Sequence, residues 1–597
     1  VKTRFLPAAV LLASLAAFTP QLQAQQSSSE DQAVAVGLCG NDVWNLTVED
    51  GQRAVEQTRL QNPALYQRMV QQSKTGARAS LATVGDKRDF YVVNQETHMI
   101  EEVPATLRYH GIRGKIWVED AIASQVTATK LAQMAKGIDS TTPRTSRDST
   151  KGIIQNDIDV FGNPPTPPDD DGYFHFLILD IKDGLSGGAY IAGYFFSYDQ
   201  RDPATNYGSN GVNMLYIDVQ GIGSVPGMLN TMAHEFQHNI HYNTNPDSET
   251  FFNEGCSEEA SLLNGYATRR NTAYRANTNV PMLRWTTAQQ DPTGAQILSD
   301  YERAMTFTHY MREQFGEQYL TELNLVRRSG MARVDSALRR IGSDKTWREA
   351  LRGFAVTNYV VKDYADSQFI YTDPILATYS NGSVTGSPSA SRIGTELANY
   401  VGGNYPASGS LDLAPYGIGY LVYNTPAGGG LRSTFNWSGS DAAVYAIMYR
   451  NKTVIDVREL GNGEVSDISD WPIYTKIVYV LVNLKASRTA TTTVTWAQEQ
   501  LVASVNSRTD ANALAISTIA PNPAHQSAVV EFTAPRGGEV EFEVFDAMGA
   551  SVLQQTVVAD AGRASVAVPT ATLPSGPYIV RVRQGGASVT RALVVTH

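Results

Sequence analysis

Cysteine is nearly missing from this chain. Cys39 and Cys256 are the two present in 597 residues, so at most one disulfide can form. Histidine is almost as scarce, with nine. Basic charge is short as well: Lys and Arg total 48 against 59 Asp and Glu, a net charge of -11, and no Lys/Arg cluster offsets the deficit. Such a chain is a poor candidate for binding nucleic acid or anionic membranes. Beyond the N-terminus no apolar run reaches membrane-spanning length, so no transmembrane anchor is expected. What is present is an ordinary globular mixture, 42% hydrophobic and 18% charged, with 48 Gly, 26 Pro and 29 Tyr tilting it towards β-structure and loops. The length exceeds what one hydrophobic core can serve, and several domains are expected.

The long apolar run lies at the start. Lys2 and Arg4 precede "LPAAVLLASLAAF", followed by Pro20 and the small-residue site "LQA" ending at Ala24. This is the three-part layout of a secretory signal, too short and wrongly flanked for an anchor, with cleavage expected after Ala24. The opening Val fits a non-Met start codon read literally, which points to a bacterium. Export permits a disulfide. A Cys39–Cys256 bridge and two free, buried thiols are both open readings.

Residues 25–88 begin polar and then carry a helix-like stretch, "TVEDGQRAVEQTRLQNPALYQRMVQQ", consistent with an N-terminal arm or pro-segment. From "DFYVVN" the pattern turns to strands: "ATLRYHG", "GKIWVED", "YFHFLILDI" and "NMLYIDV". Before the third of these, "FGNPPTPPDDDGYF" forces a loop, whose Asp169, Asp170 and Asp171 either bind Ca²⁺ through carboxylate oxygens or turn in solvent. "SDYERAMTFTHYMREQFG", "EQYLTELNLVRR" and "VDSALRRIG" repeat apolar residues at spacings of three and four, as amphipathic helices do. Residues 376–410 have linker composition. Short strands in 411–505 suggest a β-sandwich, and 512–597 reads as a final all-β segment.

The chemistry is concentrated in "VPGMLNTMAHEFQHNIH", a helix opening at Pro226. Leu229, Met232, Ala233, Phe236 and Ile240 fall on one side; His234, His238 and His241 fall on the other. The i,i+4 spacing puts His234 and His238 one turn apart, so both imidazoles reach one ion, while Glu235 can hold the attacking water without being a ligand. This is the H-E-x-x-H zinc arrangement. Two incidental histidines on an exposed face are the plain alternative. His241 lies about 4.5 Å further along the same helix, too near to close a tetrahedral site, and reads as a cleft-lining, supporting or exposed residue. A third ligand is available in "FFNEGCSEEAS", where Glu254 follows His238 with fifteen residues between.

The N-E-G sequence followed by helix formers resembles the gluzincin superfamily, whose third metal ligand is that glutamate. In its thermolysin-like branch the matching acidic residue hydrogen-bonds a ligating histidine, which implies a supporting role for Glu258, with Glu259 the alternative. "DYERAMTFTHYM" resembles the P-Y-E-x-G segment of the aminopeptidase branch and nominates Tyr301 as a transition-state donor, although Asp300 replaces the proline; a core tyrosine is the plain reading. Together with "AHEFQHNI", these segments look like the hyicolysin-type secreted metallopeptidases over residues 89–375. The resemblance implies an α+β fold: a two-lobed gluzincin-type peptidase domain with a mixed-sheet lobe, an active-site helix and a helical lobe, followed by two β-sandwich domains. Apart from the resemblance, Cys39 has a third reading, as a pro-segment thiolate that blocks the metal. "IAPNPAHQSAVVEF", "FEVFDAMGASV" and "LPSGPYIVRVRQGGASVTRALVV" resemble the type IX secretion sorting domain of Bacteroidetes and relatives, which implies passage through the periplasm, contact with that machinery, and release or surface attachment.

The expected activity is zinc-dependent endopeptidase hydrolysis of protein or peptide substrates. Zn²⁺ would sit on His234, His238 and Glu254, with Glu235 as base and Tyr301 or His241 at the oxyanion. The G-x-M-E-N strand of the aminopeptidases is replaced by "NGVNMLYIDV", with no such glutamate. An aminopeptidase and an inactive cell-surface binding protein are the rival readings.

Overall fold

The computed structural model describes the chain from Val36 to His597, except residues 42–45, 76–81, 186–188, 267–273, 275–276, 288–289, 292–293, 362–363, 365, 373–395, 401–407, 425–429, 451–452, 469–473, 502–512 and 548. The expected signal segment, 1–24, lies outside the described residues.

The fold is α+β. Its first strand, β1 (Val36–Cys39), is followed by α1 (Val48–Gln61) and α2 (Pro63–Thr75). The single helical stretch read from the sequence splits at Asn62, because a residue preceding proline is driven out of the helical region. Thr47 and Asp50 form a reciprocal capping box at the start of α1. Strands β2 (Lys87–Asn94), β3 (Met99–His110) and β4 (Gly114–Glu119) come next, then α3 (Ala128–Asp139) and α4 (Ile153–Phe161). β5 (Phe174–Leu179), β6 (Ala189–Phe195) and β7 (Asn213–Asp218) complete a seven-stranded sheet in the order β1-β6-β7-β5-β4-β3-β2. β5 and β7 are buried along their whole length, which explains their unbroken apolar runs.

One face of this sheet carries α5 (Val225–Thr244), the helix with the histidines. Ser224 caps it by accepting from the Gly227 N–H at 3.2 Å, and Pro226 sits in its first turn, where a missing N–H costs nothing. α6 (Thr250–Leu263) packs against α5, and α7 (Ala295–Phe315) packs against α6. α8 (Glu317–Leu325), α9 (Met331–Arg340) and α10 (Trp347–Val360) complete the helical part.

The C-terminal part consists of paired sheets. Strand β8 (Glu396–Tyr400) falls inside the stretch read as linker and joins the edge of a five-stranded sheet, where it pairs in parallel with Ile418–Asn424. Linker composition there reflected the flanking Gly and Ser, not this strand. The central strands Ala442–Arg450 and Lys476–Asn483 are buried on both faces. One face meets a four-stranded sheet; the other meets α10, with Tyr420 donating to the Ala355 carbonyl at 2.7 Å. The last unit sets a three-stranded sheet against a four-stranded one. Its strand Ser527–Ala534 alternates exposed and buried residues, the period-two signature of a sheet with one wet face.

Candidate metal centre

α5 is buried almost all round from Met228 to His241, so its polar residues must be satisfied within the protein. The apolar stripe of Leu229, Met232, Ala233, Phe236 and Ile240 faces the core as the periodicity indicated. The opposite side faces α6. There His234 Nε2 and His238 Nε2 stand 3.1 Å apart, with the Glu254 carboxylate 3.1 Å from the first and 3.2 Å from the second. All three side chains are essentially inaccessible to solvent.

The other imidazole nitrogens face side-chain oxygens. His234 Nδ1 faces Glu258 Oε1 at 3.2 Å, and His238 Nδ1 faces Asn253 Oδ1 at 3.1 Å. Both oxygens are acceptors, and with the proton on each Nδ1 each Nε2 would present a lone pair. Two lone pairs and a buried carboxylate therefore point at one another. No donor other than these imidazoles reaches either Glu254 oxygen among the described residues. The donor spacings are close to the roughly 3.3 Å edge of a tetrahedron with bonds of about 2.0–2.1 Å to zinc. The residues fit a divalent metal.

Gly255, next to Glu254, lets α7 come close: a Cβ there would run into Thr308 Oγ1 and lie 3.1 Å from the Ala304 carbonyl oxygen. That approach brings Tyr301 to the centre, its ring edge-on to His234 with centroids 6.2 Å apart. Gly193 on β6 does the same for the sheet side, because a Cβ would meet Thr231 Cγ2 and the Tyr216 carbonyl, both at 2.7 Å, with Glu235 Cγ at 3.2 Å. The buried Glu235 is thereby set between the sheet and the histidine pair.

The remaining sequence candidates fall in different places. His241 is 1% exposed, which removes the exposed reading. Arg333 Nη2 donates to its Nε2 at 3.2 Å, and burial together with that guanidinium pushes its pKa well below 6.5. It borders a cavity of about 400 Å³ that also touches His238, Asn253, Phe195 and Thr47. Glu259, the alternative to Glu258, pairs with His309 at 3.1 Å and with Arg312. Cys39 and Cys256 are both buried and form no disulfide, which corrects the bridge reading. Cys256 lies in the helical core, whereas the Cys39 sulfur lies 3.5 Å from His238 Nε2.

The Asp-rich loop does not gather three carboxylates. Asp170 is exposed with φ at 47°, and Asp171 takes the Lys115 ammonium at 2.8 Å and His175 at 3.3 Å. What converges there is Asp169, Asp171 and His175, with a lysine already beside them, and the calcium reading is weakened accordingly. Two contributors were missed from the sequence, Asn253 and Ser257. They stand four residues apart, one turn along the same face of α6, where both meet His238, and Ser257 Oγ lies 3.1 Å from His238 Nδ1.

Comparison with known proteins bears on the C-terminal segment and on a stretch of 172 residues. Residues 518–596 match the Secretion system C-terminal sorting domain family. That match supports a type IX sorting domain. The chain is exported, to be secreted or attached to the cell surface, and the domain implies interaction with the secretion machinery. Among the described residues no helix is long and apolar enough to cross a membrane. Over 172 residues the chain is 28% identical to the neutral metalloprotease ShpI of Staphylococcus hyicus, covering 28% of this chain and 35% of that protein's length. The chain thus spans about a third of that relative. Solved structures aligned with it include the glycoside hydrolase domain of Endo-D from Streptococcus pneumoniae R6 and a β-1,2-glucanase from Parabacteroides distasonis. They are 11% and 15% identical, each over 31% of this chain and over 33% and 32% of theirs, with TM-scores of 0.13, too low to carry an argument.

Proposed function

We propose that the chain is an exported zinc metalloendopeptidase whose peptidase domain has the two-lobed gluzincin fold. One observation carries this: two imidazole Nε2 atoms and a buried carboxylate converge within 3.1–3.2 Å, with a glutamate adjacent. The partial identity to a neutral metalloprotease supports the same reading.

His234, His238 and Glu254 would hold the metal. Bound zinc would supply Lewis acidity and a coordinated water with a pKa near 7. Glu235, held between β6 and the histidine pair, takes the proton of the water attacking the peptide carbonyl and passes it to the leaving amine. Glu258 and Asn253 fix the two imidazoles in the tautomer that leaves Nε2 open. Tyr301 offers a phenol to the developing oxyanion, an interaction typically worth roughly 3 kcal/mol.

The test is a paired measurement of metal per chain and casein cleavage, on wild type and on Glu235→Gln. The expected result is about one zinc in both proteins, with cleavage only in wild type and only without chelator. Cleavage by Glu235→Gln would overturn the assignment of the base. Release of N-terminal residues alone would favour an aminopeptidase, and absence of metal would leave a binding protein.

A further inference from the structure

Strand β1 supplies none of the His234, His238, Glu235 or Glu254 side chains, yet it ends among them. It pairs in parallel with β6, with Cys39 opposite Gly193, and so occupies the outer edge of the sheet beside α5. Such an edge is where an extended peptide adds by main-chain hydrogen bonds. Here the position is filled by the chain's own residues. Gly37 allows the close approach, since a Cβ there would lie 2.8 Å from that of Ala192. Beyond the strand, Asn41 continues the ladder with its side chain: Nδ2 donates to the Phe195 carbonyl at 2.6 Å and Oδ1 accepts from the Phe195 N–H at 2.9 Å.

What this anchoring holds in place is a sulfur. Cys39 Sγ is 3.5 Å from His238 Nε2 and 3.6 Å from Glu235 Oε2. It is one of four donors, with His234, His238 and Glu254, whose ligand atoms all lie within 4.8 Å of one another. For bonds of about 2.3 Å to sulfur and 2.0–2.1 Å to nitrogen, a tetrahedron has an N···S edge of roughly 3.5–3.6 Å, and the observed distance agrees. The same residue engages the oxyanion candidate, because the Cys39 N–H donates to Tyr301 Oη at 3.2 Å.

Resting on the metal assignment above, we infer that Cys39 is the fourth ligand and that the chain with β1 in place is a latent form of the enzyme. The thiol gives up its proton to solvent as the sulfur–metal bond forms. The sulfur then fills the position that hydrolysis needs open, and the carbonyl pocket at Tyr301 is taken by the Cys39 amide. Activity requires the sulfur to leave the metal, and departure of β1 as a whole also frees Glu235 and the edge of β6. Cys256, 0% exposed in the helical core, has no part in this.

Cobalt substitution of the full chain reads the sulfur directly. The intact protein should bind one Co²⁺ and show a near-ultraviolet sulfur-to-cobalt charge-transfer band, lost in Cys39→Ser and in Cys39→Ala but kept in Cys256→Ser. Casein cleavage by the intact zinc protein should rise by at least roughly tenfold in the Cys39 variants, the factor expected if the site is open one-tenth of the time or less. Cobalt bound without the band in the intact protein would overturn the inference and leave the metal centre standing. Failure to bind cobalt at all would overturn the metal assignment itself. The band in the intact chain is decisive even if a Cys39 variant fails to fold.

Discussion

Glu258 Oε1 lies 3.2 Å from His234 Nδ1, on the side of the ring away from Glu254. A carboxylate at this place would hold the His234 proton on Nδ1 and leave Nε2 to the metal proposed above. Glu258→Ala should therefore weaken metal binding by about 10–100-fold, measured by competition with a chromophoric chelator. Glu259→Ala, which removes the partner of His309 and Arg312, should lower stability and leave metal affinity unchanged. Equal metal affinity in Glu258→Ala and wild type would show that His234 is oriented by packing alone.

Gly255 sets the distance between α6 and α7. Gly255→Ala should destabilise the protein by about 1–3 kcal/mol, read by urea denaturation, because the new methyl meets Thr308 Oγ1 and the Ala304 carbonyl. Adding Thr308→Ala removes the first obstacle and should recover part of the loss. Simple additivity of the two changes would mean that the helices do not meet there as described.

The pattern of residues along α5 and α6 made much of this centre legible, because a helix translates spacing into geometry. His234 and His238 one turn apart, and the N-E-G segment on a following helix, are local facts. Asn253 and Ser257 were equally local and were overlooked because Asn and Ser carry no metal signature of their own. His241 was harder. Its position opposite the apolar stripe suggested a wet face, whereas α3, α4, α6 and the sheet enclose α5 on nearly every side and Arg333 of α9 covers His241. Cys39 meets His238 across 199 residues of sequence, through a parallel strand pairing that no periodicity announces. It could be weighed beforehand only as one of three alternatives.

His175 predicts an acid-sensitive step away from the metal. Its Nδ1 accepts from Trp117 Nε1 at 3.1 Å, and burial pushes its pKa from 6.5 down to about 4 despite Asp171. The unfolded chain binds this proton from about pH 6.5 downward while the folded chain refuses it, so stability falls as pH drops from 6.5 to 4. The two-and-a-half-unit difference corresponds to at most about 3 kcal/mol. Equilibrium urea unfolding across that window should show the slope in wild type and a shallower one in His175→Gln. An unchanged slope would assign the acid sensitivity to other groups.

Tyr301 separates catalysis from packing most sharply, provided that the latent strand is first disabled. In the full chain its phenol oxygen accepts from the Cys39 N–H, so Tyr301→Phe would loosen β1 and remove an oxyanion donor at once, two effects of opposite sign. Made in a Cys39→Ser background, where no sulfur reaches the metal and a looser β1 no longer changes its occupancy, the change should leave metal content close to that of the parent, and the ring still packs on Trp285 with centroids 5.2 Å apart. The rate constant kcat should then fall by roughly 10²–10³, the usual consequence of losing one oxyanion donor, with KM little altered. A variant that keeps full kcat would make Tyr301 a core residue that happens to border the metal, and the oxyanion would have to be held by another group of the cleft.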